Sequence, residues 1–578
     1  MVAEGIARRP LLADLVITNG KVITVNQDFS IAQAVAVKDG KIIAVGTNEE
    51  VAAFIDKDTN VLDIKGKTML PGINDSHGHP ALFGGTRPPL TLDVGYPAVK
   101  AISDIAEMVR NKVAESQPGE WIRGFGWDQG YLEECLKDPN RQPTRWDLDP
   151  VSPNNPVCLT DMSSHVILVN SKALELAGIT ADTPAPAGGE IVREPSSGEP
   201  TGVLREFPAQ DPVMRLIPPW SREQKRQAIL SAMRELNALG ITSVTESALG
   251  PGGDAAQGGL FGSECISIYN DLLNEGNLTL RVSILLLFGD YGKCTLQDLQ
   301  QGLSDMGIHT GFGNEWLRIA GAKIFADGIP PAWSSWMYEE YLNSNGVKGS
   351  LVIPGETDEE RYNELVDMII YAHKLGFQLG IHATGDRAID ACVDGFIKAM
   401  NEHPRKNLRH YVIHADFTTD DCAKRMAEWG IGVNAQTAIK YVIADLEEKT
   451  VGEERSAREW PCRSLIDAGV HVAMSSDAPV VYPNWKQGVE TSVLRESKAT
   501  GKVSGPEQCI TREEAIRAYT IEGAYQDHME NIKGSIEVGK LADFCVLGED
   551  ILTIDAHKIK NIPTLMTIVG GKIVYNAM

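Results

Sequence analysis

Cysteine is scarce and unpatterned, with nine in 578 residues and none spaced as CxxC. That excludes a disulfide framework and a Cys-rich zinc site, and the thiols are expected to be reduced core residues. No run approaches the ~18 uninterrupted apolar residues of a membrane span. Basic charge is in deficit, 54 Lys and Arg against 78 Asp and Glu, for a net charge of −24. A surface this acidic repels phosphate backbones, so nucleic acid is excluded as a partner. The acidic residues are spread along the chain rather than gathered in a tail, which assigns them to solubility. The opening MVAEGIARRPLLADLVITNG meets Asp14 too early for a secretory apolar region. A cytoplasmic protein without a membrane partner is expected. Coiled-coil patterns and repeats of solenoid period are also lacking.

What is present is a long chain with the apolar content of an ordinary globular protein. Its first 70 residues read as β-structure. Turn signals at Asn19-Gly20 and Asp39-Gly40 separate apolar runs, and each predicts a hairpin. The end repeats the idiom, with TLMTIVGGKIVYNAM turning at Gly570-Gly571. Two β-rich ends predict one small sandwich built from residues 1–70 and 535–578. Between them helix and strand alternate. Ser221 and Gly240 bracket one helix, and the Thr357–Glu360 capping box opens another. Eight strands are predicted near Met69–Ser76, Thr242–Glu246, Leu280–Gly289, Leu317–Phe325, Gln378–His382, Tyr411–His414, Gly432–Ala435 and His471–Ser475. Apolar runs such as LRVSILLLFG suit strands buried on both faces. Eight parallel strands followed by helices make an α/β fold, a (β/α)8 TIM barrel, here over residues 71–534. Residues 81–220 are too long for a βα connection and are read as a structured insertion after the first barrel strand, at the catalytic mouth.

Polar residues at the ends of apolar strands carry the chemistry. In Asp75-Ser76-His77-Gly78-His79 the two imidazoles sit at i and i+2, on the same side of a strand, where they can meet one ion. An HxH pair in a surface loop is the bland alternative. His382 ends FQLGIHA, His414 ends RHYVIHA and Asp477 ends VHVAMSSD. Each is placed where an unpaired polar group is costly. Singly each reads as a hydrogen-bonded core residue; jointly they read as a metal site suited to Zn²⁺, with Fe, Mn or Ni as substitutes. Lys323, inside the apolar LRIAGAKIFADG, must pair with Asp327, lower its pKa or be modified. His309, His373, His403, His471, His528 and His557 lack a partner pattern and are read as structural.

The chain resembles the amidohydrolase superfamily, in its amidohydrolase 3 branch with the N-substituted formamide deformylases. The resemblance rests on PGINDSHGHP, GFGWDQ, SHVILVNSKALELAGI, GVLREF, AKIFADG, IHATGDRAID, RHYVIHAD, SSDAPV and GSIEVGKLADFCVL, in that order across nearly the whole chain. It implies a distorted barrel with a terminal β-sandwich and one or two metal ions, expected as zinc. It also implies His77 and His79 on the first metal, His382 and His414 on the second, and a carboxylated Lys323 bridging them. Asp477 would bind metal and act as general base in hydrolysing a C–N bond of a small molecule. Deamination and cleavage of a cyclic amide or ester would use the same site, and a barrel that only binds ligand is the alternative of another class. A homodimer is expected on the same grounds. One stretch departs from the branch: IPPAWSSWMYEEY follows AKIFADG. Trp333 and Trp336, with Trp121 and Trp127 of the insertion, either wall a substrate pocket or pack a loop. His165 either contacts substrate or caps structure.

Overall fold

A computed structural model describes residues 12–578 apart from 97, 139–140, 163–165, 187–188, 290–293 and 305–306. Its centre is one eight-stranded sheet: β1 (Ile73–Gly78), β2 (Ile241–Leu249), β3 (Arg281–Leu287), β4 (Leu317–Phe325), β5 (Leu379–Ala383), β6 (Tyr411–His414), β7 (Gly432–Ala435) and β8 (Val472–Met474). Every neighbouring pair from β1 to β8 is parallel. All residues of β2 and β3 are buried, as strands covered on both faces should be. The sheet curls into a nearly closed barrel, and side chains and loop backbone join its two edges. Ser76 Oγ donates to the Met474 carbonyl at 2.9 Å. The Ser476 N–H and hydroxyl donate to the Asp75 carboxylate at 2.8 and 2.6 Å. The Asp477 N–H reaches the His77 carbonyl at 2.9 Å and the His79 N–H the Ala478 carbonyl at 2.8 Å. This is the expected TIM barrel.

The predicted strand Met69–Ser76 is two strands broken at Gly72. Thr68–Pro71 lies in a terminal sheet and Ile73–Gly78 in the barrel. A Cβ at Gly72 would collide with the Thr242 side chain, so only glycine lets the chain pass from one sheet to the other here. The terminal sheet runs Lys572–Asn576, Thr564–Val569, Phe544–Leu547, Thr68–Pro71, Lys21–Ile23, Ile31–Ala32, so strands from both ends of the chain share it. A four-stranded sheet (Lys41–Gly46, Ala34–Lys38, Leu15–Thr18, Asn60–Asp63) stands with it. Leu15, Ile17, Val35, Met69, Phe544 and Ile568 pack into one core between them. Asp39-Gly40 and Gly570-Gly571 are two-residue hairpin turns, Lys38 facing Lys41 and Val569 facing Lys572. Asn19-Gly20 is not a hairpin: Leu15–Thr18 and Lys21–Ile23 pair in different sheets. Each half of that predicted hairpin pairs with strands elsewhere, and tertiary pairing overrides the local turn signal.

The chain divides into two compact units. The barrel and terminal sheets belong to the first. The second comprises Pro80–Ala232 and Ala255–Leu260. It contains a six-stranded sheet in the order Glu190–Arg193, Pro200–Arg205, Val166–Val169, Val157–Asp161, Ile122–Trp127, Leu92–Asp93. Its core packs Ile105 and Val109 of the helix Ile102–Glu115 against Ile122, Trp127, Leu159 and Leu168. Among the described residues no helix is long and apolar enough to cross a membrane.

Candidate metal centre

At the C-terminal ends of the barrel strands, His77 and His79 turn their Nε2 atoms toward one oxygen, Asp477 Oδ1, at 3.2 and 3.3 Å. All three residues are buried, and one ligand atom from each lies within 4.8 Å of the other two. The two-residue spacing in β1 delivers both rings to one side. Asp477 sits just past β8 at φ 57°, and His414 ends β6 at φ 73°. Left-handed backbone is uncommon for residues other than glycine and gathers where side chains are aimed for function. From His77 the ring row continues to His414 at 5.4 Å between centroids, and from His414 to His382 at 4.5 Å.

Each outer ring is fixed by a partner. His382 Nε2 donates to the Gly328 carbonyl at 2.9 Å, which leaves Nδ1 its lone pair. His414 Nδ1 meets Gln436 Oε1 at 2.7 Å. Burial, with the Lys323 charge added to it, pushes His77 down to about 3 and His382 to about 4. His414 lies well below the ordinary histidine value for the same first reason, burial. These three imidazoles are therefore neutral, the form that ligates metal. Burial alone would raise Asp477, but the imidazoles of His77, His79 and His414 more than offset it and hold the carboxyl well below its usual range.

Lys323 lies beside them in β4, buried, its ammonium 4.7 Å from the centroid of the Phe325 ring. Among the described residues it has no ion pair. The Asp327 carboxylate, one of the alternatives for Lys323, is engaged instead by the N–H groups of Thr384, Gly385 and Trp336, at 3.0, 2.9 and 2.9 Å. Burial lowers Lys323 to about 7, with Asp477 pulling the other way. A fraction of it is thus neutral amine at physiological pH, the form that reacts with carbon dioxide.

The residues fit a divalent cation. Nδ1 of both His77 and His79 is buried with no hydrogen-bond partner. Two imidazoles and a carboxylate converging on one point form a donor set for zinc-like ions. The sequence agrees. The amidohydrolase family profile matches residues 60–575.

The chain belongs to the amidohydrolase family. It is similar to an N-substituted formamide deformylase from Arthrobacter pascens, 31% identical with 98% of each chain covered. It is also similar to the protein LONG AFTER FAR-RED 3 from Arabidopsis thaliana, 30% identical over 98% of this chain and 92% of the relative. An uncharacterized metal-dependent hydrolase from Pyrococcus furiosus shares the fold at a TM-score of 0.70 and 25% identity, covering 93% of this chain and 100% of that one. This chain is an enzyme of the metal-dependent amidohydrolase class.

The remaining candidates of this amidohydrolase are described each in its own surroundings, except one outside the described residues. Trp336 is buried, with the Arg387 guanidinium 4.0 Å over its ring. It lines a cavity of about 490 Å³ with Tyr338, Tyr362 and Arg387, flanked by the helices Asp358–Lys374 and Asp386–Glu402. Trp333 is 41% exposed, at φ 56°, and stacks on Tyr341 with centroids 6.4 Å apart. Trp127 is in the core of the second unit, its Nε1–H on the Leu159 carbonyl at 3.0 Å. Its neighbour Trp121 is half-buried against another core of the same unit. His165 lies outside the described residues.

Several partners carry no mark in the sequence. Asp75 joins β1 to β8, and burial raises its carboxyl to about 7 against the hydrogen bonds from Ser476. Glu246, buried in β2, accepts from the Tyr269 hydroxyl at 2.6 Å. Asn434 and Gln436 alternate along and just after β7, in IGVNAQ. A period of two ending in amides was the available signal for them. His410 carries no such signal: its Nε2 lies 2.8 Å from His373 Nδ1, and its Nδ1 accepts from the Leu379 N–H at 3.0 Å.

Proposed function

We propose that the protein hydrolyses a C–N bond in a small amide or N-formyl compound, with Asp477 as general base. The observation that carries this reading is the convergence of His77 Nε2 and His79 Nε2 on Asp477 Oδ1. His77, His79 and Asp477, with His382, His414 and a carboxylated Lys323, would hold one or two divalent ions, zinc first among them. A divalent cation held there supplies Lewis acidity, bringing water's pKa toward ~7 and polarising a carbonyl. Asp477 is ionised at neutral pH because the surrounding imidazoles stabilise its charge, so it can accept the proton of an attacking water. Water adds to the carbonyl carbon, the C–N bond breaks, and the proton held by Asp477 passes to the departing nitrogen. The products are an amine and a carboxylic acid, formic acid for an N-formyl substrate. Neutral His382 and His414 add no cationic charge to the pocket, and the row is buried. Similarity along the whole chain to an N-substituted formamide deformylase supports the bond class.

The test is a panel of N-formyl amines, simple amides, lactams, lactones and aminated heterocycles, assayed on protein whose metal content has been measured. Amine release from N-formyl or amide substrates should vanish on stripping with chelator and return on reloading. Unchanged turnover after stripping would overturn the metal reading. Turnover confined to lactones or aminated heterocycles would replace the C–N amide reading with ester hydrolysis or deamination.

A further inference from the structure

His414 is held from behind by a chain of buried amides and hydroxyls whose hydrogen bonds allow one arrangement. Gln436 Nε2 donates to Asn434 Oδ1 at 2.7 Å, to Ser475 Oγ at 2.9 Å and to the Asn434 carbonyl at 3.1 Å. Reversing the amide would set Gln436 Oε1 against two acceptors, the Asn434 carbonyl and Oδ1, so the observed orientation is fixed. Asn434 is fixed in turn. Its Nδ2 donates to Gln526 Oε1 at 2.6 Å and to the oxygens of Ser76 at 3.0 and 3.1 Å. Its Oδ1 also accepts the Ser475 hydroxyl at 2.6 Å. Gln526 Nε2 closes the chain on the Ser76 carbonyl at 2.9 Å. Ser76 is next to His77 in β1, so one network touches the strands carrying His77 and His414 together. Asn434, Gln436, Ser475 and Ser76 are all buried, where an unmet hydrogen bond costs about 1–3 kcal/mol.

The end of this chain is an oxygen. Gln436 Oε1 can only accept, so the His414 nitrogen facing it at 2.7 Å carries the hydrogen. We infer that Gln436 is a positioning residue that holds His414 as its Nδ1–H tautomer and leaves the Nε2 lone pair for the metal centre. The inference rests on His414 being a metal ligand. Neutral imidazole has one lone-pair nitrogen, and a partner on the other nitrogen decides which one it is. Without Gln436 Oε1, His414 would be free to adopt the other tautomer or to rotate, and the centre would lose a preformed donor.

The experiment titrates cobalt(II) into metal-stripped full-length protein, following the visible absorption bands and competing with a chelator of known affinity. Gln436→Met removes the acceptor at similar volume. It should weaken cobalt binding roughly 10–100-fold and alter the band shape and intensity. Gln436→Glu retains an oxygen toward Nδ1 but sets its other oxygen against the Asn434 acceptors, so its affinity and spectrum should lie between those of Gln436→Met and wild type. Ser475→Ala loosens the Gln436 amide without touching His414 and should fall between them, which keeps the test decisive if Gln436→Met fails to fold. Wild-type affinity and spectrum in Gln436→Met, or in Ser475→Ala where Gln436→Met does not fold, would overturn the inference. His414→Ala separates the two levels. If it binds cobalt as wild type does, His414 is no ligand and the reading beneath the inference falls. If it binds weakly while Gln436→Met binds normally, only the positioning role falls.

Discussion

Two buried lysines stand near opposite ends of the barrel. Near the N-terminal ends, Lys533 donates to Asn74 Oδ1 at 3.1 Å and to Ser243 Oγ, with Asp527 Oδ2 3.7 Å away. Asp527 in turn accepts the hydroxyls of Thr245 at 3.2 Å and Ser283 at 2.8 Å. Near the C-terminal ends, Lys323 has no ion pair among the described residues, and the Nε2 edges of two neighbouring imidazoles converge on one carboxylate oxygen. Burial lowers both ammonium groups, Lys533 to about 8 and Lys323 to about 7. The difference lies in what surrounds them. A buried polar group with partners is structure, and one whose partners are missing is waiting for a ligand. The division matches the barrel's usual one, stability at the bottom face and chemistry at the top.

The contrast is broken most severely at Asp477. Asp477→Asn preserves shape and removes the proton acceptor, so kcat on a confirmed substrate should fall on the order of 10²- to 10⁴-fold. Steady-state kinetics, with metal content measured on the same sample, decide it. A variant that keeps near-full turnover would remove Asp477 from the role of base.

The lysines give a paired test with opposite signs. Lys533→Met strands Asp527 without its cation, and breaking a buried pair from one side costs about 3–5 kcal/mol. The urea midpoint should drop while kcat per folded molecule holds. Lys323→Met removes a buried charge that has no counter-ion, so the metal-free protein should unfold at an equal or higher urea concentration. Metal content and turnover should fall instead. If Lys323→Met destabilises as much as Lys533→Met, the distinction between the two ends is wrong.

Reading the sequence reaches the two ends unequally for a physical reason. His77, His79, His382, His414 and Asp477 stand out because each closes an apolar run, and strand periodicity says which side they face. Seven of the eight barrel strands are legible in the same way. Lys533 and Asp527 come from a stretch after the last barrel strand with no periodic pattern, and their partners Asn74, Ser243 and Ser283 lie hundreds of residues away. Only the closed barrel brings them together. Gln436 is similar: it reads as the polar tail of a strand until Asn434, Ser475 and Ser76 surround it. The merging of Thr68–Pro71 with Ile73–Gly78 has the same origin. Gly72 marks the break only once Thr242 of a distant strand is seen against it.

The loop after β4 tests how far the chemical end extends, because its two tryptophans differ in kind. Trp336 is buried beneath Arg387, and its backbone N–H is tied to Asp327, so it secures the loop. Trp333 is 41% exposed with its backbone at φ 56°. Asparagine tolerates that backbone, so Trp333→Asn removes the ring without adding strain. If the exposed ring contacts substrate equally in ground and transition states, KM should rise about tenfold, some 1.4 kcal/mol, with kcat unchanged. An unchanged KM across the amide panel would confine Trp333 to packing on Tyr341. The specificity of the catalytic end would then have to come from other loops, and the effect of Trp333→Asn would be limited to the small stability cost of losing one partly exposed ring.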